Sequence, residues 1–576
     1  MPVPCDTQPV LHHSGLKTTL CGVHHQASSP ELPIHQYRGI KYASIPARFR
    51  QSVLLTALPP KTDATRYGPI CPQLHKKCFE EDLFGLGHAP QQILEQNEFE
   101  CLNLNITCPA GLTPQSRLPV MLWIHGGGDR GYGSSWVYDG GSIVRKGMQM
   151  HKPVMVITFN FRIGLFGFAA SPLIQEDNNA ANDPGVGNYG LRDQRTAMQW
   201  VHQFIQEFGG DPDNVTVFGE NTGASDILCH LQSVANERRP LFHRAIIQSA
   251  VIDHNIPNVG SAGWHISRVM AGLDATTVEE LRAVSAEKLV KNSCGSTLRA
   301  VDDGYFFLPD WRSHFLPEDV SPSSRHHHSV LKPHDRASSR SRSRTRPHAS
   351  KMHVHQPLII GDTNSASMAW SLPASLWTSQ AVVRRLNAIC QSISNASLLL
   401  SSYDICSSTP DDEIVDRVLE LIGDTRVSWP TECVASQALR RRAGRRRLAV
   451  ARPRSTFATR STWTTTREEH DLKFDSDGED EWMEPPVTEW AYKRIRDTMQ
   501  ERWILFANGQ EPWHADKVFV FGPEGEIGER SRVIFENRRR RAVWTDALEP
   551  LGMQLAQKVG MELSRGPPMK SGPMKF

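Results

Sequence analysis

One stretch, residues 213–226, restricts the fold of this chain more than any other. It reads Asp-Asn-Val-Thr-Val-Phe-Gly-Glu-Asn-Thr-Gly-Ala-Ser-Asp. The β-branched and aromatic run 215–218 predicts a buried strand that ends at Gly219. The small residues Gly223 and Ala224 follow before a helical pattern begins. The stretch therefore predicts a strand that turns sharply into a helix.

A strand-to-helix turn of this kind is the nucleophile elbow, which raises one side chain above a sheet. In serine hydrolases it reads Gly-x-Ser-x-Gly, because the glycines let neighbouring backbone approach while the serine hydroxyl is exposed. Here the frame reads Gly219-Glu220-Asn221-Thr222-Gly223. Asn221 stands at the nucleophile position, and Thr222 is expected to face away because an elbow presents only its central residue. An amide cannot attack an ester as an alkoxide does.

Composition and charge fit a large globular protein. The 576 residues are 39% apolar and 22% charged, and the net charge of +2 gives no reason to expect nucleic acid as a partner. No run reaches the roughly 18 consecutive apolar residues that span a bilayer. Because residues 1–25 lack the apolar region of a secretory signal, the sequence predicts a cytoplasmic protein. It predicts no cofactor and no metal.

Other segments predict one α/β core around the elbow. The apolar runs 119–124 and 153–159 predict buried strands, and the alternation over 102–106 predicts a half-buried one. Residues 188–208 predict a helix that leads to the elbow strand. The expected fold is therefore a mostly parallel central sheet with helices on both faces and long insertions.

Consecutive motifs resemble those of type B carboxylesterases and cholinesterases, and they stand in the same order. The motifs are Glu100-Cys101-Leu102-Asn103-Leu104-Asn105, His125-Gly126-Gly127-Gly128, residues 160–168, residues 188–194 and residues 208–212. The resemblance is close from about residue 15 to 260 and continues in fragments to about 560. It implies the α/β-hydrolase fold and a small carboxylic ester or similar apolar ligand, and it leaves the oligomeric state open.

The resemblance also implies an oxyanion hole and a catalytic base. The backbone N–H groups of Gly127, Gly128 and Thr222 correspond to the oxyanion donors. His470 lies before Trp503 at nearly the separation that the family shows between its catalytic histidine and that tryptophan. His470 is therefore the candidate base, and a surface histidine is the alternative.

The triad acid is missing. Ala366 stands where the family has its triad glutamate, and Asp362 is offset from that position by four residues. With Asn221 at the nucleophile position, a weak or inactive esterase is predicted. The alternatives are a binding protein without turnover and a hydrolase that uses an unrecognised nucleophile. Deamidation of Asn221 to aspartate is a further route, which an Asn-Thr step favours little.

Cys71 and Cys101 can close the loop between them with a disulfide, and two unpaired buried thiols are the alternative in a reducing cell.

The expected domain spans residues 15–560, between tails at 1–14 and 561–576. Low-complexity tracts rich in Ser, Arg, Thr and His interrupt it at about 321–350 and 436–466. Their basic runs indicate either nuclear targeting or an intron or reading-frame error in the gene model. Within the second half, the sequence predicts a strand and turn at 305–312 and helices at 487–506 and 538–559.

Overall fold

The computed structural model describes most of the chain, in several ranges. These are residues 8–74, 94–128, 130–134, 136–293, 298–312, 356–363, 366–442, 489–515, 517–522, 526–533, 535 and 541–568.

The strands are numbered in chain order. They are β1 (Val10–His13), β2 (Thr18–Cys21), β3 (Val23–His24), β4 (Ile34–Lys41), β5 (Ala43–Ser44), β6 (Val53–Leu54), β7 (Lys61–Asp63), β8 (Asn103–Pro109), β9 (Leu118–Ile124), β10 (Met155–Phe159), β11 (Gly210–Glu220), β12 (Arg244–Gln248), β13 (Leu358–Gly361), β14 (Lys517–Phe521) and β15 (Ile527–Ser531).

The α-helices up to the second half are Gly141–Gln149, Gly164–Phe168, Pro172–Ala180, Tyr189–Phe204, Thr222–Leu231, Val234–Arg238, Val259–Ala271, Val278–Ala283 and Ala286–Ser293. Those that follow are Ser371–Ala374, Ser379–Cys390, Ile393–Ser402, Asp411–Gly423, Trp429–Arg442, Glu489–Ala507, Arg541–Val543, Glu549–Leu551 and Met553–Ser564. Short 3₁₀ or π turns cover Trp136–Tyr138, Ile205–Phe208, Ala366–Trp370, Asp424–Ser428 and Trp544–Leu548.

An eight-stranded sheet organises the molecule, in the order β13-β12-β11-β9-β10-β8-β4-β3. The strands from β13 to β10 in this order pair in parallel, while β8, β4 and β3 pair antiparallel. Leu122 and Trp123 lie in different hydrophobic cores because successive side chains of a strand point to opposite faces. The predicted α/β class, the strands at 119–124 and 153–159, and the helix leading to β11 are confirmed.

Two local predictions were wrong. Strand β8 is buried along its whole length, not half-buried, because Leu104 and Ile106 lie in a hydrophobic core and the helix Gly141–Gln149 also packs against the strand. Residues 305–312 contain the predicted turn but not the predicted strand, of which only one isolated bridge from Phe307 to Ser233 is present. There the Asp303 carboxylate accepts the backbone N–H groups of Tyr305 and Phe306, so these donors are turned away from a neighbouring strand.

Some expected boundaries also shift. Strand β1 (Val10–His13) lies within the expected amino-terminal tail, and the last helix continues to Ser564. The helix Trp429–Arg442 extends into the tract predicted at 436–466. The helix predicted at 487–506 is present as Glu489–Ala507, whereas 538–559 is broken at Gly552, which has a φ of 75°. Residues 321–350 and 443–466 lie outside the described ranges.

Cys71 and Cys101 are neighbours in the core, and both are free thiols. Of the two alternatives, this structure has the unpaired thiols and not the disulfide. Instead, Cys101 hydrogen-bonds with Cys71, and this contact together with burial raises the pKa of Cys101. The Cys101 thiol also donates to the Glu98 carbonyl oxygen at 3.4 Å. Each thiol therefore has contacts that do not require a bond between the two sulfurs, and bridging under oxidising conditions stays a prediction.

Candidate active site

The predicted strand-to-helix turn is present at residue 221. Strand β11 ends at Glu220, the helix begins at Thr222, and Asn221 between them has φ 54° and ψ −119°. A non-glycine residue with positive φ is uncommon and is held there by its surroundings. The flanking glycines let the Ile124 carbonyl oxygen pack closely against the turn. A Cβ on Gly223 would lie 2.2 Å from this oxygen, and one on Gly219 would lie 2.8 Å from it.

The glycine loop that follows β9 packs directly against this elbow. Gly127 and Gly128 have φ of 92° and 72°, values that favour glycine. A Cβ on Gly126 would lie 2.7 Å from the Glu220 carbonyl oxygen and 3.3 Å from the Asn221 Cβ. The loop therefore lies in van der Waals contact with the position that carries a nucleophile in serine hydrolases.

The buried side chain of His125 contacts this loop and helps to fix its position. Its ring stacks on Phe161 at a centroid distance of 4.2 Å, and its Nδ1 lies 3.0 Å from the Gly126 carbonyl oxygen. Burial lowers the pKa of His125 to about 4. The imidazole is therefore neutral at physiological pH, with its Nδ1 proton donated to Gly126, and its role is to hold the loop.

Side chains of the elbow itself occupy two of the three expected oxyanion donors. The Gly128 N–H donates to the Thr222 hydroxyl at 2.9 Å, and the Thr222 N–H donates to Asn221 Oδ1 at 2.7 Å. The expectation that Thr222 faces away was wrong. A helical side chain leans toward the amino-terminal end of its helix, and the glycine loop lies at that end.

An arginine that sequence analysis missed joins the loop to the elbow helix. The guanidinium of Arg299 contacts the buried Asp226 carboxylate and lies 3.3 Å from the Thr222 carbonyl oxygen and 3.5 Å from that of Gly128. Gln194 donates to the other oxygen of Asp226 at 2.7 Å. Burial raises the pKa of Asp226, while Arg299 and Gln194 favour its charged form.

A buried ion pair fixes two of the sequence motifs to each other. Arg162, from the motif at 160–168, pairs through two nitrogens with both oxygens of Asp193, each at 2.7 Å. Both side chains are almost fully buried. Attraction to Asp193 outweighs burial and raises the pKa of Arg162. The pair thus holds the segment after β10 against the helix that precedes the elbow strand.

The segment expected to carry the acid ends at the same edge of the sheet. Strand β13 pairs in parallel with β12, which pairs with the elbow strand β11. Ala366 follows at the start of a 3₁₀ turn and is half-buried, and its N–H lies 3.4 Å from the Thr363 carbonyl oxygen. Asp362 is buried beside it. A methyl group therefore stands where the resemblance places a carboxylate. His470 lies outside the described residues.

A second residue missed by sequence analysis is Gln248 at the end of β12. Its carbonyl oxygen accepts the Asn221 N–H at 3.0 Å, which helps fix the elbow. Its side-chain amide is buried, and within the described ranges neither end of this amide has a hydrogen-bond partner. A polar residue that ends an apolar run beside the elbow strand was the available sequence indication.

A family model confirms the resemblance. The model of the carboxylesterase family matches residues 10–365. This chain belongs to the carboxylesterase family. Its relatives include Lipase 2 of Diutina rugosa, which is 30% identical over 422 residues, covering 68% of this chain and 71% of that lipase.

Other relatives match a shorter part. Para-nitrobenzyl esterase of Bacillus subtilis is 35% identical over 292 residues, which is 50% of this chain and 55% of that esterase. Lipase 3 of Yarrowia lipolytica is 30% identical over 299 residues, or 50% of this chain and 56% of that lipase. For these two relatives, the chain spans little more than half of their length.

Solved structures support the fold. A thermophilic PNB esterase superposes with a TM-score of 0.65 at 21% identity, covering 92% of this chain and 99% of that one. EstA of Aspergillus niger gives a TM-score of 0.64 at 20% identity, with coverage of 95% and 100%. The chain therefore has the α/β-hydrolase fold of carboxylesterases. Among the described helices, none combines the length and apolar character needed to cross a membrane.

Proposed function

We propose that this chain is a carboxylesterase-family protein with little or no serine-hydrolase turnover. The observation that carries the proposal is the elbow, where Asn221 replaces the serine and its side-chain oxygen accepts the Thr222 N–H. Loss of a triad nucleophile lowers turnover by about 10⁶-fold. Ala366 adds a missing acid, so a base such as His470 has no carboxylate at the family position to orient it.

The occupied oxyanion donors support the same proposal. An oxyanion hole works because its N–H groups are free to receive the charge that develops on the carbonyl oxygen. Here the donors of Gly128 and Thr222 already have acceptors in the protein. A substrate carbonyl oxygen must displace these acceptors. It therefore gains less hydrogen-bond energy than it would from N–H groups that are free.

The two hydroxyl groups that follow Asn221 in the elbow helix, those of Thr222 and Ser225, are engaged in hydrogen bonds. Ser225 Oγ lies within donating distance of two carbonyl oxygens, those of Asn221 at 3.0 Å and Val251 at 2.8 Å. The Thr222 hydroxyl accepts the Gly128 N–H. Both hydroxyls are thus held by backbone groups, which belong to the elbow, the glycine loop and the segment after β12.

A second candidate function is binding of a small ester or similar apolar ligand without turnover, on one carboxylesterase domain over residues 15–560. The elbow and glycine loop keep close backbone contacts although the reactive groups are changed, which favours a retained ligand site. The family's ester substrates indicate the chemical class.

Ester hydrolysis by the parent chain and designed variants tests the proposal. The parent chain and the Asn221→Ala variant should hydrolyse a p-nitrophenyl ester at the same rate. Activity should appear in Asn221→Ser/Ala366→Glu. Adding Thr222→Ala should increase it by about 10²-fold, because the Gly128 donor is released.

The matched control is Thr222→Ser in the same double-variant background, since it retains the hydroxyl and should give no such gain. Substantial parent activity that Asn221→Ala abolishes would contradict the proposed inactivity. Parent activity that survives Asn221→Ala would contradict the assignment of the site.

A further inference from the structure

The backbone conformation at the elbow brings the Thr222 nitrogen against the Asn221 side chain. Viewed along the Cα–C bond, Cβ and the backbone nitrogen of an L-residue are about a third of a turn apart. At a ψ of −119°, the Thr222 nitrogen therefore nearly eclipses the Asn221 Cβ. It lies 2.7 Å from Oδ1, the oxygen bonded to the Asn221 Cγ.

This arrangement is the one needed to close a five-membered ring through Cα, Cβ, Cγ, the Thr222 nitrogen and the Asn221 carbonyl carbon. We propose that Asn221 is a site of self-modification, converted through a cyclic imide to aspartate or isoaspartate. The Thr222 nitrogen attacks Cγ and forms the new C–N bond. The side-chain nitrogen leaves as ammonia and carries away the proton of the Thr222 N–H. Water then opens the ring at either carbonyl group, which leaves a carboxylate.

The position of Thr222 at the start of a helix favours this attack. Its N–H is among the first donors of the helix, which have no intrahelical acceptor, and its partner is the Asn221 side chain itself. Ring closure therefore breaks no hydrogen bond of the helix ladder. The partial positive charge at the helix start also favours loss of the amide proton and, afterwards, the new carboxylate.

The surrounding backbone keeps the reacting groups together. Gly219 and Gly223 pack against the Ile124 carbonyl oxygen, and the Asn221 N–H is bonded to the Gln248 carbonyl oxygen at 3.0 Å. A flexible chain visits this ψ rarely, whereas the folded elbow remains in it. Preorganisation of this kind accelerates an intramolecular step. Folding is therefore expected to speed the reaction at Asn221.

Asn188 provides a matched comparison within the same chain. It also has positive φ and precedes a helix, Tyr189–Phe204, but its ψ is 16°. Two hydrogen bonds hold its side chain against the backbone of Val301 and not against the next residue. The Asn188 Nδ2 group donates to the Val301 carbonyl oxygen at 2.7 Å, and the Val301 N–H donates to Asn188 Oδ1 at 2.9 Å. Asn188 should therefore remain unmodified in the folded protein.

Peptide mapping by mass spectrometry tests the proposal. The full chain is incubated at mildly alkaline pH, folded and in concentrated urea, and deamidation is followed separately at Asn221, Asn188 and Asn508. Deamidation at Asn221 should be on the order of tenfold or more faster in the folded chain than in urea. Asn508, which precedes Gly509, serves in urea as the reference for an unhindered Asn-Gly step, and Asn221→Asp supplies the product standard.

Two further readouts identify the route. Hydroxylamine should trap the imide at position 221, and isoaspartate should accompany aspartate, because direct hydrolysis of the amide gives aspartate alone. A rate at Asn221 equal to or slower than that in urea would overturn the proposal, as would aspartate without isoaspartate or a trapped imide. Ester turnover plays no part in these measurements, so their outcome is independent of the proposed function.

Discussion

The elbow at Asn221 and the segment at Ala366 lie at the same edge of the sheet but differ in how tightly they are built. Around the elbow, backbone atoms leave no space for a Cβ on Gly219 or Gly223. Ala366 is half-buried in a short 3₁₀ turn after β13. The elbow keeps its shape although its central residue has changed. Packing therefore maintains the backbone of this site, and the reactive side chains can vary independently of it.

The largest effect is expected where packing is tightest. Gly223→Ala places a methyl group 2.2 Å from the Ile124 carbonyl oxygen, so the elbow must move. We expect the free energy of unfolding to fall by about 3 kcal/mol. Equilibrium unfolding in urea measures this loss of stability.

Gly260→Ala is the control for this prediction, because Gly260 lies in the helix Val259–Ala271 and its Cβ would meet only Asn258 Oδ1 at 3.5 Å. This substitution should change the free energy of unfolding little. Equal losses for the two variants would contradict the contrast between the elbow and an ordinary helix.

An intermediate effect is expected from acid, through His125 beneath the glycine loop. Burial lowers its pKa from 6.5 to about 4, so the unfolded chain binds the proton first as the pH falls below 6.5. The free energy of unfolding should therefore fall by about 2 kcal/mol from this residue between pH 7 and pH 5, at about 1.4 kcal/mol per pH unit.

His125→Asn isolates that contribution. Urea unfolding at pH 7 and pH 5 should give a smaller acid-induced loss in the variant than in the parent chain. Burial also lowers the pKa of His230, to about 3, so part of the acid effect should remain. An identical pH dependence in both proteins would show that His125 is not held neutral by the fold.

The smallest effect is expected at Ala366. Because this residue is half-buried and lies outside the tightly packed elbow, Ala366→Glu should change the free energy of unfolding by less than about 1 kcal/mol. The measurement is again urea unfolding, beside Gly223→Ala. A loss as large as that of Gly223→Ala would remove the difference between the two regions.

Sequence patterns predicted the elements that depend on local periodicity. The apolar runs became β9 and β10, and the Gly-x-x-x-Gly frame became a strand-to-helix turn. The side-chain contacts could not be predicted in the same way. That the Thr222 hydroxyl reaches Gly128 depends on the position of a loop far away in sequence. The role of Arg299 likewise depends on three segments that meet only in the folded chain.

The contacts of Arg299 have a consequence for how a ligand can enter. Its guanidinium faces the Gly128 and Thr222 carbonyl oxygens while it neutralises Asp226. Lifting the glycine loop outward would remove the Gly128 carbonyl oxygen from Arg299 and would break the hydrogen bond from the Gly128 N–H to the Thr222 hydroxyl. A ligand bound beside the elbow would therefore meet a glycine loop whose position is coupled to that of the elbow helix through Arg299 and Thr222.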